Sequence, residues 1–132
     1  MSGAVMAVQK AAVAAMRAHA PLANAVSGIF DGPPAGACFP YVAMAESPSV
    51  DWSHKSGRGR EIRLAVTVWD DGNRAARLHA LMREMEAAIE RMATGLDGWR
   101  VVTLNFWRSR VVRDANAPWA GLVEYRVRVL EA

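Results

Sequence analysis

The chain is poor in the residues that most directly betray chemistry. It has one cysteine in 132 residues. Cys38 therefore has no partner for an internal disulfide, which excludes a disulfide scaffold and fits folding in a reducing compartment. Its Gly-Ala-Cys-Phe-Pro setting has no nucleophile signature around it. The three histidines, His19, His54 and His79, lie far apart. None has a partner at metal-ligand spacing, so each reads as an ordinary surface or half-buried side chain. No catalytic residue, metal site or cofactor site is expected. No stretch reaches the ~18–20 uninterrupted apolar residues of a membrane span, and no membrane partner is expected. Repeats and low-complexity tracts are missing as well. The Ala-rich start carries Gln9, Lys10, Arg17 and His19 in place of a basic head and an apolar run, so it reads as a helix and not a signal peptide.

What is present suits one domain over 1–132: 52% hydrophobic and 22% charged residues, with a net charge of +3. That balance is globular and mildly basic, which permits an anionic partner without demanding one. The chain is organised around Arg60–Trp69, where Ile62, Leu64, Val66 and Val68 alternate with Glu61, Arg63, Thr67 and Trp69. A period of two is the pattern of a strand with one buried face.

Ahead of it, Ala4–Ala20 has apolar residues at helical spacing and is expected to stop at Pro21. Ser27–Pro34 suggests a short extended piece, and Phe39–Glu46 a strand whose Pro40 marks an edge. Ser47–Arg60 has no periodicity and reads as a long loop, the favoured place for an interaction. Downstream, Asn73 is expected to cap a helix with the stripe Leu78, Leu81, Met82, Met85, Ala88, Ile89 and Met92, stopped by Gly95. Trp99–Arg110 should place Val102, Leu104 and Phe106 on one face and Val101, Thr103, Asn105 and Trp107 on the other. A turn at Arg113–Pro118 then leads to Trp119–Leu130 and closes a hairpin. The expected fold is α+β, with an antiparallel or mixed sheet, two helices on one face and the order α-β-β-β-α-β-β.

Asp70-Asp71 admits two readings, a metal or acid site, or turn and helix-start chemistry that accounts for it fully. Gly57-Arg58-Gly59-Arg60 offers glycines and arginines to a phosphate. It enters a strand instead of a helix and lacks a Lys-Ser ending, so a flexible basic loop against a protein or passing DNA competes with it. The five tryptophans are many for this length. Trp69 and Trp107, with Arg63, Arg126 and Arg128, fall at outward positions. They make the uncovered sheet face either an amphipathic cover or a protein interface, where Trp and Arg are favoured anchors.

Taken together, Ile29-Phe30-Asp31-Gly32-Pro33-Pro34, Phe39-Pro40-Tyr41-Val42, Asp51-Trp52-Ser53-His54-Lys55-Ser56-Gly57-Arg58-Gly59-Arg60-Glu61 and Leu96-Asp97-Gly98-Trp99-Arg100 resemble the tail completion, or tail terminator, family of long-tailed phages and gene transfer agents. The resemblance implies a structural subunit without catalytic residues, located at the head–tail junction of a virion or phage-like particle. It implies a homo-hexameric ring on the last ring of tail tube protein, facing the head–tail connector (stopper) protein, with double-stranded DNA passing through unbound. The expected interface residues are Trp52, His54, Lys55, Arg58, Arg60, Arg63, Trp69, Trp107, Arg126 and Arg128. Rival readings are a head-side stopper, a dimeric α+β ligand-binding domain with a pocket between helices and sheet, and an enzyme acting on phosphates.

Overall fold

In the computed structural model, residues 3–113 and 117–132 are described. In chain order the elements are α1 (Ala4–Ala18), α2 (Ala20–Ala23), β1 (Ile29–Phe30), β2 (Tyr41–Met44), β3 (Ser49–Asp51), β4 (Gly59–Asp70), α3 (Ala75–Ile89), β5 (Trp99–Val112) and β6 (Trp119–Glu131). The fold is α+β. The sheet runs β1-β2-β4-β6-β5, and β3 pairs with β4 beyond the end of β2. β1 and β2 are parallel and the other pairs antiparallel, so the sheet is mixed.

β4 is the spine. Ile62, Leu64, Val66 and Val68 are all 0% exposed, as the alternation requires. They lie beside Val127, Tyr125 and Val123 of β6 on the same face. Helix α3 presses the stripe Leu78–Met92 onto this face, with every expected stripe residue buried. α1 adds Val8, Ala12 and Met16. Gly121 permits the close approach of α3 to β6, because a Cβ there would sit 2.7 Å from Met82 Sδ. At about 25 cal/mol per Å2 of apolar surface removed from water, this continuous core is the main source of stability.

Several boundaries differ from the sequence reading. Pro21 does not stop α1. The helix ends at Ala18, His19 turns the chain, and Pro21 sits in the first turn of α2, where its missing N–H costs nothing. Asn73 is not the cap of α3, because Arg74 takes that position without a side-chain cap bond. Gly95 does not end the helix either. α3 ends at Ile89, and a tighter turn (Met92 N–H to Ile89 O, 3.0 Å) still delivers Met92 to the core. Pro40 precedes β2 through a cis Phe39–Pro40 bond, but β2 is not an edge strand, since β1 covers it.

The largest correction concerns Ser47–Arg60, which is a hairpin and not a loop. Ser49, Val50 and Asp51 pair with Ile62, Glu61 and Arg60, and His54 and Gly57 bridge the turn. So short a strand carries no alternation of its own, and its partner decides it. β5 also departs from strict alternation. Bulges between Val101 and Thr103 and between Phe106 and Arg108 shift its phase. Val101 and Leu104 therefore pack on the core, whereas Val102 is 41% exposed. The β5–β6 hairpin forms as expected. Of its expected turn, residues 114–116 lie outside the described ones.

Candidate interaction surface

With helices on one face, β4, β6 and β5 present their alternate residues on the other. Register sets which side chains meet. Glu61 lies opposite Arg128, Arg63 opposite Arg126 and Ala65 opposite Glu124, while Arg108 of β5 lies opposite Glu124 from the other side.

Two linked clusters result. In the first, the Trp107 ring lies between two guanidinium groups, Arg63 and Arg108, each 4.1 Å from its centre. Arg108 donates to the carboxylate of Glu124, which is 8% exposed. In the second, Arg128 Nε donates to Glu61 Oε1 at 3.0 Å, and Arg126 Nε stands 3.8 Å from the same oxygen. Arg128 also covers the Trp52 ring at 5.3 Å, and Trp52 meets His54 edge-on at 4.6 Å. Stacking of this kind holds long arginines in one conformation and lowers the entropy they lose on binding a partner.

Of the expected interface residues, Arg63, Trp107, Arg126, Arg128 and Trp52 thus share one tract. Trp69 stands apart from it. Paired opposite Tyr41, it lines an apolar hollow of about 220 Å3 with Pro33, Pro34 and Thr67. His54, Lys55, Arg58 and Arg60 gather at the β3–β4 hairpin and are exposed. Sequence reading missed Glu61, Arg108 and Glu124 as members of the surface. The bulge at Trp107 hides the position of Arg108, and the two carboxylates make the face a charge lattice instead of a plainly basic one.

The phosphate-loop reading of Gly57-Arg58-Gly59 fails on geometry. Gly57 N–H donates to His54 O at 3.2 Å and Gly59 N–H to Ser53 Oγ at 3.0 Å. The glycine amides that would cradle an anion are already used within the hairpin. Asp70 follows its turn reading. It is 1% exposed, accepts Gly72 N–H at 3.0 Å and is clamped by Arg77 Nε at 2.8 Å. The Arg77 bonds hold its carboxyl below the usual range against the opposing effect of burial. Among the histidines, His19 contacts Glu84 at 3.1 Å and joins α1 to α3. Among the described residues, no group of three or more His, Cys, Asp or Glu side chains is placed to hold a metal. Among the described residues, no helix is long and apolar enough to cross a membrane. The space between helices and sheet, where a ligand-binding domain would keep its pocket, is filled by Tyr125, Met85 and Leu64, all 0% exposed.

Fold and surface together define a class: a small α+β protein with a packed interior and a patterned aromatic–arginine face on the side of the sheet away from its helices. Residues 10–130 match the family model described as tail completion protein gp17. The chain belongs to this family of structural tail proteins, and its place is the tail of a virion or phage-like particle. Among solved structures, it is similar to a chain of the virion of a native gene transfer agent particle. That likeness has 25% identity and a TM-score of 0.79, and covers 98% of this chain and 99% of that one. It is also similar in fold to the gp17 protein of bacteriophage SPP1, with 22% identity, a TM-score of 0.63, and 91% and 86% coverage. No curated protein sequence matches it.

Proposed function

We propose that residues 1–132 act as one tail-terminator domain, without enzymatic activity. In this reading copies assemble as a hexameric ring on the last ring of tail tube protein, stop tube growth and present a surface to the head–tail connector. Double-stranded DNA passes through the hole without specific binding. The observation that carries the reading is the family match over nearly the whole chain, joined to a full-length likeness to a component of a gene transfer agent virion. A ring needs two different surfaces on each subunit, and the arginine–tryptophan face and the β3–β4 hairpin supply candidates. The hairpin cations Lys55, Arg58 and Arg60 are best used against protein. A cationic channel lining would hold DNA by its phosphates whatever its sequence.

Particles lacking the protein should have tails of uncontrolled length or tails unattached to heads; normal joined tails would overturn the reading. At residue level, Trp69→Ala or Arg63→Glu should weaken ring assembly about tenfold, as loss of an anchor does. The melting temperature should change little, because both side chains are only half-buried. Native mass measurement and thermal melting of the same samples separate the two effects. Unaltered assembly would remove the open face from the interface.

A further inference from the structure

The residues of the two edge segments themselves are opposite in charge, and both edges carry exposed apolar side chains. β5 closes one margin. Its start is covered, because Val101 N–H donates to Thr94 O and Leu96 N–H to Trp99 O, both at 2.8 Å. From Thr103 to Val112, among the described residues, no other strand lies along its outer side. Along this strand Val102, Phe106 and Val112 are 41%, 49% and 40% exposed. Its charged residues are Arg100, Arg108 and Arg110, with no acid among them.

The other margin, below β2, is the extended run Ala45–Asp51 ending in β3. It holds Glu46, Asp51 and Val50, the last at 58% exposure, while Lys55 and Arg58 stand in the turn beyond it and Arg60 lies opposite Asp51 on β4. Among the described residues, four of the six large apolar side chains that stand exposed therefore lie on these two margins. Among the described residues, Glu46, Asp51, Arg100 and Arg110 have no ion-pair partner.

Proteins usually blunt a free strand with charges, bulges or proline. β5 has arginines and bulges, and the opposite margin has Pro48. These devices deter indiscriminate pairing but leave Val50, Val102 and Phe106 uncovered. We propose that β5 of one copy pairs with the β3 margin of a second copy, basic edge to acidic edge, so that the sheet continues from subunit to subunit. The occupant is another copy of this chain because it carries the complementary margin itself. The contact is head-to-tail, each copy using β5 toward one neighbour and β3 toward the other, as ring closure demands. It rests on the ring reading and deepens it. Pro48 lacks an N–H and its carbonyl is already taken by Arg63 N–H at 2.9 Å, so the strand available for regular backbone pairing is the short Ser49–Asp51. Apolar contact and charge must therefore supply most of the attraction.

Disulfide trapping tests this in a Cys38→Ser background. Protein carrying Val50→Cys is mixed with protein carrying Val102→Cys, Phe106→Cys or Val112→Cys, then oxidised. A mixed disulfide with at least one of the three, and no comparable product from any variant alone, is the expected result. Like-with-like products of equal yield, or no mixed product, overturn the proposal. Native mass measurement of the same samples assigns the failure. Rings without the mixed disulfide sink only the edge pairing, whereas no assembled species even when tail tubes are added sinks the ring reading too. Independently, Phe106→Lys should weaken self-association about tenfold, with a small fall in melting temperature from the lost edge-on contact with Tyr125; undiminished association would count against the edge.

Discussion

Replacing Tyr125 by alanine is expected to cost about 3–5 kcal/mol, the range for deleting a buried ring. Tyr125 is the largest side chain with no exposure at all. It stands beside Leu64 in the sheet register and takes Phe106 edge-on at 5.7 Å. Its hydroxyl donates to Glu90 Oε2 at 2.9 Å beyond the end of α3. Burial first, and then the Glu90 carboxylate, hold the phenol protonated far above its ordinary range, so it is a fixed donor. Since a domain of this size has only about 5–15 kcal/mol in total, the alanine variant should be partly unfolded at growth temperature. Tyr125→Phe keeps the ring and should lose only about 0.5–1.5 kcal/mol, because Glu90 is exposed and returns to water. Denaturant melts of the two variants check the ordering. Similar losses would mean that the hydroxyl, and not the packing, holds β6 to α3.

The second large effect is expected at Asp70. Asp70→Ala removes a buried acceptor of the Gly72 and Arg77 bonds and should cost roughly 1.5–3 kcal/mol, the range for hydrogen bonds to a charged group. Arg77 is half exposed and can be rehydrated, which keeps the loss below that of a fully buried pair. Asp70→Asn retains an acceptor for Gly72 and should lose less.

The same carboxylate gives stability a pH dependence of known sign. Its folded pKa is lowered, first by the Arg77 bond. Its contribution is therefore present above the unfolded value and is lost as pH falls through the folded one, from about pH 5 downward. Glu86 works oppositely. Burial and then Glu90 raise its pKa, so its contribution is present below the unfolded value and fades as pH rises through the folded one. Melts of Asp70→Asn across pH 3 to 7 should show a shallower acid loss than the parent protein; an unchanged slope would contradict the assignment to Asp70.

These effects bear on the tail because a tail completion protein can present a patterned face only from a rigid sheet. Arg63, Trp107 and Arg108 are held in line by β4, β5 and β6, and the same three strands carry the core residues on their other side. Damage to Tyr125 should therefore weaken assembly as well as folding, whereas Arg63→Glu separates the two.

Residue order alone determined the elements with long, uninterrupted patterns. The alternation in β4 and the seven-residue stripe of α3 were legible because burial on one side imposes a period on the chain, whatever packs there. The outward Arg63 and Trp69 of β4 and Arg126 and Arg128 of β6 followed from the same period. Only the tertiary structure decided the rest. β3 is a strand because β4 offers it a partner, not because three residues of its own demand it. The bulges in β5 reset its phase, so they exposed Val102 and set Trp107 between two arginines. The glycines of the hairpin turn spend their amides on His54 and Ser53, contacts between residues that only chain reversal brings together. A local pattern reports which side of a segment is buried; which segments become neighbours, and what they neutralise in each other, is settled by the register of the assembled sheet.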